Sequence, residues 1–171
     1  MQNFYNIDKL NFLTAGMPLV TGKGGYPKAL DVLTEMNLDG LEVEFVHGVR
    51  MSDETRSFLK TAAKEKKLIL TAHGPFYINL NSKEQEKVDA SVQRIIDTAT
   101  AASEFGGYSI TYHAAFYLGG DKETVYQQVK TQTQKIVETL EKNNIKMWIR
   151  PETTGKASQW GEYEEIIRLS K

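Results

Sequence analysis

Short apolar runs alternate with longer segments whose apolar positions recur at helical spacing, and this alternation repeats five times along the chain. The apolar runs predict strands at 10–16, 41–45, 68–72, 108–112 and 146–150. The amphipathic segments predict helices at about 27–37, 52–67, 82–105, 121–143 and 161–171. Strands that alternate with helices of this length are typical of a parallel sheet with helices packed outside it.

Several of the predicted helices start with residues that match capping patterns. Ser52 and Asp121 are predicted N-caps, because a side-chain oxygen at that position accepts a hydrogen bond from a first-turn amide. Ser82 and Gln85 have the spacing of a capping box. Pro27 suits a first helical turn, where a missing N–H costs little. These signals place the helix starts after the polar loops that follow the strands.

The five predicted strands should all point the same way, because crossovers between parallel strands are right-handed. The residues after each strand then line one rim, which carries the active site in an eight-stranded (β/α) barrel. A complete barrel of this kind needs about 250 residues. We therefore predict an α/β fold of the (β/α) barrel type with parallel strands and about five of the eight units. Residues 1–171 would form a single barrel domain that is incomplete at its C-terminus.

An open doubly wound sheet is the competing interpretation of the same alternation. Nucleotide-binding sheets of that kind have a glycine-rich phosphate loop after a strand. The glycine run at 22–25, Gly-Lys-Gly-Gly, has neither GxGxxG nor GxxxxGK[ST] spacing. It therefore predicts a flexible loop between a strand and a helix rather than a phosphate site.

Composition narrows the possible functions. Hydrophobic content is 40% and charged content 25%, both ordinary for a globular protein. A net charge of −1 gives no overall attraction for nucleic acid, so any such contact must come from local patches. The chain has no cysteine, which excludes disulfides, thiolate metal ligands and cysteine nucleophiles. Residues 1–13 lack a signal-peptide pattern, and no stretch approaches the ~20 apolar residues of a membrane span, so we expect a cytoplasmic protein without membrane contact.

Two histidines and a glutamate recur at the ends of successive predicted strands. His73 and His113 lie 40 positions apart, and each is followed, after two intervening residues, by a Phe-Tyr pair. Glu152 follows after another 39 positions, also just after a predicted strand. Two imidazoles and one carboxylate on one rim form a catalytic zinc pattern with a position left open for water. We predict His73, His113 and Glu152 as metal ligands, and Glu152 as the catalytic residue.

Simpler roles stay open for these and neighbouring residues. A histidine at a strand end can be a hydrogen-bonded structural residue. His47 has no counterpart in the repeated pattern and is interpreted as a loop residue. The aromatic pairs at 76–77 and 116–117 could stack on bases or sugars, or could cover the barrel mouth. Asn79 lies in a polar loop and could cap a turn.

Three motifs resemble endonuclease IV, the zinc-dependent endonuclease of the xylose isomerase-like TIM barrels that acts at abasic sites in DNA. The segment 70–81, LTAHGPFYINLN, resembles the family's signature. The segment 112–119, YHAAFYLG, resembles the next motif, in which a histidine precedes Pro-Gly. The segment 150–156, RPETTGK, resembles a Glu-Asn-Thr-Ala-Gly motif. Together with 14–18 and 41–46, these motifs look like the archaeal branch of the family.

The resemblance implies a DNA-repair enzyme with up to three zinc ions that cleaves the phosphodiester 5′ to an abasic site. His73 and His113 resemble ligands of one zinc, and Glu152 resembles the carboxylate that bridges this zinc to a second. The family's remaining ligands come from later strands, so ligands for one ion are visible here. Ala114-Ala115 in place of Pro-Gly and Thr153 in place of Asn alter the loops that would meet DNA.

The predicted DNA contacts are Arg50, Asn79 and Lys156, which lie in the rim loops; in this family the loop that follows the second strand inserts into DNA. The expected partner is DNA that contains abasic sites. Two other functions remain open: a metal-dependent sugar isomerase or epimerase of the same barrel superfamily, and a non-catalytic metal-binding remnant. A barrel with open edges also exposes unpaired backbone groups, which predicts self-association through those edges or through the apolar last helix.

Overall fold

The computed structural model describes residues 9–171 and contains seven strands and five α-helices in that range. The strands are β1 (Leu13–Ala15), β2 (Gly40–Glu44), β3 (Ile69–His73), β4 (Ser109–Tyr112), β5 (Ala115–Phe116), β6 (Trp148–Pro151) and β7 (Gln159–Trp160). The helices are α1 (Gly25–Glu35), α2 (Asp53–Lys66), α3 (Gln85–Glu104), α4 (Lys122–Lys142) and α5 (Tyr163–Leu169). The prediction of no signal peptide falls largely on residues 1–8, which lie outside the described residues.

Five of the strands form one parallel sheet in the order β1-β2-β3-β4-β6, and each pairs with its neighbours in sequence. A helix follows each strand of this sheet, as the alternation of patterns predicted. The short strands β5 and β7 pair with each other in antiparallel orientation and form a separate two-stranded ribbon. The predicted α/β fold with parallel strands and about five barrel units is therefore confirmed.

The two faces of the sheet differ in chemistry. Leu41, Leu70 and Ile110 point to one face, where they are fully buried in a core shared with α1, α2, α3 and α4. Alternate residues such as Glu42 and Thr71 point the other way and line an open cavity of about 440 Å³. A doubly wound sheet would cover both faces with helices, so the polar inner face identifies the sheet as part of a barrel wall.

Two predicted helix caps are confirmed. The Ser52 side chain accepts a hydrogen bond from the Thr55 amide at the start of α2. The Asp121 side chain accepts one from the Thr124 amide at the start of α4. Each cap satisfies one of the amides that have no partner within the helix. Pro27 also lies in the first turn of its helix, because α1 begins at Gly25.

The predicted capping box at the start of α3 is wrong. The helix begins at Gln85, and its N-cap is Glu84, which makes no side-chain capping bond. The Ser82 hydroxyl instead accepts from the Glu84 amide within the preceding loop, because the Ser82 amide is already held by the Asn79 carbonyl. A capping box forms at α5, between Glu162 and Glu165, where the sequence pattern of Ser or Thr is absent.

Element lengths also differ from the sequence expectation at both edges of the sheet. The first strand was predicted over 10–16 but pairs only over Leu13–Ala15. The last strand of the sheet begins two residues later than predicted, at Trp148. Both are outermost strands that have one hydrogen-bonded neighbour among residues 9–171, so pairing supports fewer of their residues. Among residues 9–171, no helix combines the length and the apolar character that a membrane crossing requires.

Candidate metal centre

Strand register brings the three predicted ligands together at one rim. His73 is the last residue of β3, and His113 and Glu152 are the residues that follow β4 and β6. These strands are neighbours in the sheet, and Tyr112 pairs with Pro151, so His113 and Glu152 leave the sheet side by side. All three side chains are partly buried. The repeated strand-end position in the sequence therefore corresponds to a shared site in space.

The distances fit a single metal ion. One carboxylate oxygen of Glu152 lies 3.1 Å from His73 Nε2 and 3.5 Å from His113 Nε2. The ligand atoms of His73, His113 and Glu152, which we call the trio, all lie within 4.8 Å of one another. The centroids of the two imidazole rings are 5.5 Å apart. Ligands about 2.1 Å from one tetrahedral zinc lie roughly 3.4 Å from each other. A zinc-sized ion can therefore contact the three donors after small side-chain adjustments.

The two imidazoles are held differently. His73 Nδ1 lies 2.8 Å from the Gly74 carbonyl, which accepts its hydrogen and leaves Nε2 as the ligand atom. A backbone acceptor of this kind fixes the tautomer and the ring orientation of metal-binding histidines. His113 Nδ1 is buried and has no hydrogen-bond partner among residues 9–171. The position of the His113 ring therefore depends more strongly on what its Nε2 contacts.

Nearby carboxylates set the electrostatics of the trio. Burial acts to lower the pKa of His73, but the hydrogen bond to Glu152 and the bond to the Gly74 carbonyl oppose it. The charges of Glu44 and Glu42 act in the same direction as these bonds, so the pKa of His73 lies above its usual value. Both ring nitrogens thus hold protons readily, and a metal ion would take the place of the proton on Nε2.

The sequence did not lead us to predict two acidic residues of β2, Glu42 and Glu44, as part of the site. Desolvation raises the pKa of the Glu44 carboxyl, His73 opposes this rise, and Glu42 and Glu152 add to it. Glu42 accepts a hydrogen bond from the Thr71 hydroxyl at 3.2 Å. The alternation Leu-Glu-Val-Glu in β2 was a usable signal, because residues two apart in a strand share a face. These carboxylates add negative charge beside the three ligands.

The predicted DNA contacts occupy different environments. Arg50 and Lys156 are exposed in the loops after β2 and β6. Asn79 is half-buried, and its side-chain oxygen accepts hydrogen bonds from the Asn81 and Phe116 amides. The Asn79 side-chain oxygen therefore links its own loop to the segment that contains Phe116. Its DNA contact stays a prediction, as do those of Arg50 and Lys156.

The aromatic residues of the rim divide into exposed and packed members. Phe76 and Tyr77 are each 51% exposed, with ring centroids 4.2 Å apart. His47 lies beside them: its ring is 5.4 Å from that of Phe76, and its Nδ1 is 3.4 Å from the Tyr77 hydroxyl. Tyr117 is buried, and its hydroxyl donates to Glu165. The pair at 76–77 is free to contact a ligand, whereas Tyr117 packs within the rim.

Residues 30–171 match the model of a protein family described as the xylose isomerase-like TIM barrel. The chain belongs to this family. A relative with a similar sequence is an uncharacterized protein of Methanocaldococcus jannaschii, 41% identical over 160 residues. That match covers 94% of this chain and 57% of the relative, so the chain spans little more than half of the relative's length.

Several solved structures have a fold similar to that of this chain. Endonuclease IV from Thermus thermophilus superposes with a TM-score of 0.68 at 18% identity, over 93% of this chain and 57% of that one. A D-tagatose 3-epimerase-like protein gives 0.71 at 16% identity, over 94% and 59%. A D-psicose 3-epimerase gives 0.73 at 15% identity, over 95% and 61%. At these identities the structural likeness establishes the shared fold only. The activity has to be argued from the residues of the site.

Proposed function

We propose that this chain is a metal-dependent enzyme of DNA repair that resembles endonuclease IV and cleaves the phosphodiester 5′ to abasic sites. The observation that carries the proposal is the convergence of His73, His113 and Glu152, whose ligand atoms lie within 4.8 Å of one another. Two imidazoles with one carboxylate suit zinc and leave room for a water or a substrate oxygen. The motifs around these residues resemble those of endonuclease IV, which also shares the fold.

The trio would hold the ion, which would supply activated water and stabilise charge on a phosphate oxygen. The chain's own contribution is orientation. The Gly74 carbonyl holds His73 so that Nε2 faces the site, and the Glu152 oxygen lies between both imidazoles. Partial burial of all three side chains limits competing water, which strengthens electrostatic contacts with a bound phosphate.

Exposed groups around the rim would contact the DNA. The rings of Phe76 and Tyr77 present a surface on which an unpaired base or sugar can stack. Arg50 and Lys156 lie exposed in the rim loops after β2 and β6 and would contact phosphates. The net charge of −1 gives no overall attraction, so binding would depend on these local contacts. An abasic nucleotide suits such a site because it leaves the helix at low cost.

A second candidate is a metal-dependent sugar isomerase or epimerase. The observation that favours it is the polar inner face, where Glu42, Thr71 and Arg150 line a cavity that a polyhydroxylated ligand could fill. The epimerase structures also share the fold. The nuclease is preferred because the motif at 70–81 is long and because two exposed aromatic rings, Phe76 and Tyr77, follow His73 in the same loop. A metal-binding remnant without turnover is the third candidate.

The decisive experiment is a nicking assay on a duplex with one abasic site, run beside a ketose interconversion assay. We expect incision 5′ to the lesion that stops with chelator and returns with zinc. His113→Ala should abolish incision and lower the bound metal found by elemental analysis. His47→Ala removes a rim histidine outside the trio and should leave the metal content unchanged. Ketose interconversion without incision would support the epimerase, and metal binding without either activity would support the remnant.

A further inference from the structure

The loops that carry two of the ligands are tied together above the sheet. His113 lies two positions before the start of β5, and β7 belongs to the segment that follows Glu152. These two strands pair with each other, and the Tyr117 amide extends the pairing by donating to the Ser158 carbonyl at 3.0 Å. The ribbon therefore fixes the His113 loop against the Glu152 loop without using either metal ligand's side chain.

Gly161 lies at the end of this ribbon and touches the backbone of a ligand. Its φ of +133° is a conformation that side-chain-bearing residues rarely adopt. A Cβ built there would lie 2.6 Å from the Glu152 carbonyl oxygen and 3.2 Å from the Thr154 side chain. The Gly161 carbonyl also accepts a hydrogen bond from the Thr154 amide at 3.1 Å. Only glycine lets the two stretches of backbone approach this closely.

Glu165 holds Gly161 in this position. One of its carboxylate oxygens accepts hydrogen bonds from the Gly161 amide at 3.1 Å and the Glu162 amide at 3.0 Å. The same oxygen accepts from the Tyr117 hydroxyl at 2.8 Å. This single oxygen thus joins the start of α5, the end of β7 and the loop after β5. The contact is long-range in sequence, since Tyr117 and Glu165 are 48 positions apart.

We propose that Gly161 is a positioning residue, which sets the place of the Glu152 carboxylate relative to the two imidazoles, and that Glu165 secures it. The inference rests on the proposed metal binding by the trio. Metal sites tolerate ligand displacements of about 0.2 Å. Real Cβ atoms essentially never come closer than 3.0 Å to another atom, so with an alanine at 161 that residue and the Glu152 carbonyl must move apart by more than that tolerance.

The test compares Gly161→Ala with Gly155→Ala, a change in the same loop where an added Cβ has nothing within 4 Å. Cobalt titrations followed by visible absorption report both affinity and ligand geometry, and zinc competition confirms the affinity. We expect Gly161→Ala to weaken binding by about 10–100-fold and to change the cobalt spectrum, as changes in supporting contacts do elsewhere. Gly155→Ala should match the unchanged chain in both readouts.

A second pair of variants separates positioning from folding. Glu165→Gln keeps an acceptor oxygen for the two amides and the Tyr117 hydroxyl, whereas Glu165→Ala removes it. We expect Glu165→Ala to weaken cobalt binding and Glu165→Gln to restore most of it, with melting of the metal-free proteins measured alongside. If Gly161→Ala does not fold, the comparison of Glu165→Ala with Glu165→Gln tests the positioning role by itself.

Two results would overturn the inference. If the unchanged chain binds cobalt and both Gly161→Ala and Glu165→Ala bind it with the same affinity and spectrum, Gly161 has no positioning role although the metal site stands. If the unchanged chain binds neither cobalt nor zinc, the metal-dependent function fails and the positioning role fails with it.

Discussion

At the level of single residues, His73 has two hydrogen-bond partners that act on its protonation in the same direction. Its hydrogen bond to Glu152 and its bond to the Gly74 carbonyl favour the protonated ring. A metal ion requires the ring to be neutral at Nε2. In the proposed metal site, proton and metal would therefore compete for the same nitrogen, and the pH would decide which of them occupies it.

The competition gives opposite pH dependences for metal-free stability and for metal affinity. Because the pKa of His73 is raised above its usual 6.5, its pair with Glu152 stabilises the metal-free fold below that usual value. That contribution is lost as the pH rises through the raised pKa. Zinc affinity should instead increase over the same interval, up to about tenfold per pH unit while His73 is mainly protonated.

Thermal melts with chelator and zinc titrations, both between about pH 5 and 8, test this prediction. Glu152→Gln removes the charged partner and serves as the control for the metal-free measurement. Its melting temperature should show less stabilisation at low pH than that of the unchanged chain, because the imidazolium loses its carboxylate partner at 3.1 Å while the Gly74 carbonyl, Glu44 and Glu42 remain. Zinc affinity that stays constant across the interval would contradict the competition.

The trio itself could be predicted because its members share a position relative to successive strands. Parallel strands end at one rim, so His73, His113 and Glu152 converge whatever the details of the helices. Gly161 and Glu165 could not be found in the same way. Their contacts depend on how a loop folds back on Glu152 and on a partner 48 positions away, which no local pattern encodes.

Among the secondary-structure elements, the helix starts show which features local sequence patterns can predict. Ser52 was predicted correctly as a cap because its hydrogen bond spans three residues and needs no distant partner. The start of α3 was predicted wrongly because Asn79 organises the preceding loop through contacts with Asn81 and with the distant Phe116. The strands β5 and β7 were missed because two residues are too few to show an alternation.

This difference predicts unequal effects of two serine substitutions. Ser52→Ala removes an N-cap and should lower the free energy of unfolding by about 0.5–2 kcal/mol. Ser82→Ala removes a hydroxyl that only accepts from the Glu84 amide within a loop, and it should change the free energy by less than about 0.5 kcal/mol. Urea unfolding of both variants gives the comparison. Equal losses would mean that the Ser52 bond contributes no more than the Ser82 bond.

At the scale of the whole molecule, the sheet forms part of a barrel wall, and both of its edges are open among residues 9–171. Within residues 9–171, β1 pairs only with β2, and β6 pairs only with β4. We propose that residues 1–171 belong to one barrel domain, because the chain spans 57% of its M. jannaschii relative and five parallel strands form its sheet. The polar inner face and the outer edges of β1 and β6 are the surfaces that further strands would cover in a closed barrel.

Open edges of this kind predict self-association of the chain. Outer strands offer unpaired N–H and C=O groups to another strand, and Trp148 on β6 adds a large apolar side chain that is 63% exposed. Light scattering on a size-exclusion column should therefore show oligomers whose share rises with protein concentration. Trp148→Lys places a charge on the β6 edge and should shift the population toward monomer.

The matched control is Tyr163→Lys, which places the same charge at a similarly exposed aromatic position, 67% exposed, on α5. It should leave the oligomer share unchanged, because α5 is not an edge of the sheet. If Tyr163→Lys alone lowers the share of oligomers, the copies associate through α5 and not through the edge of β6. A monomer at every concentration would mean that edge pairing between copies is too weak to offset the entropy of association.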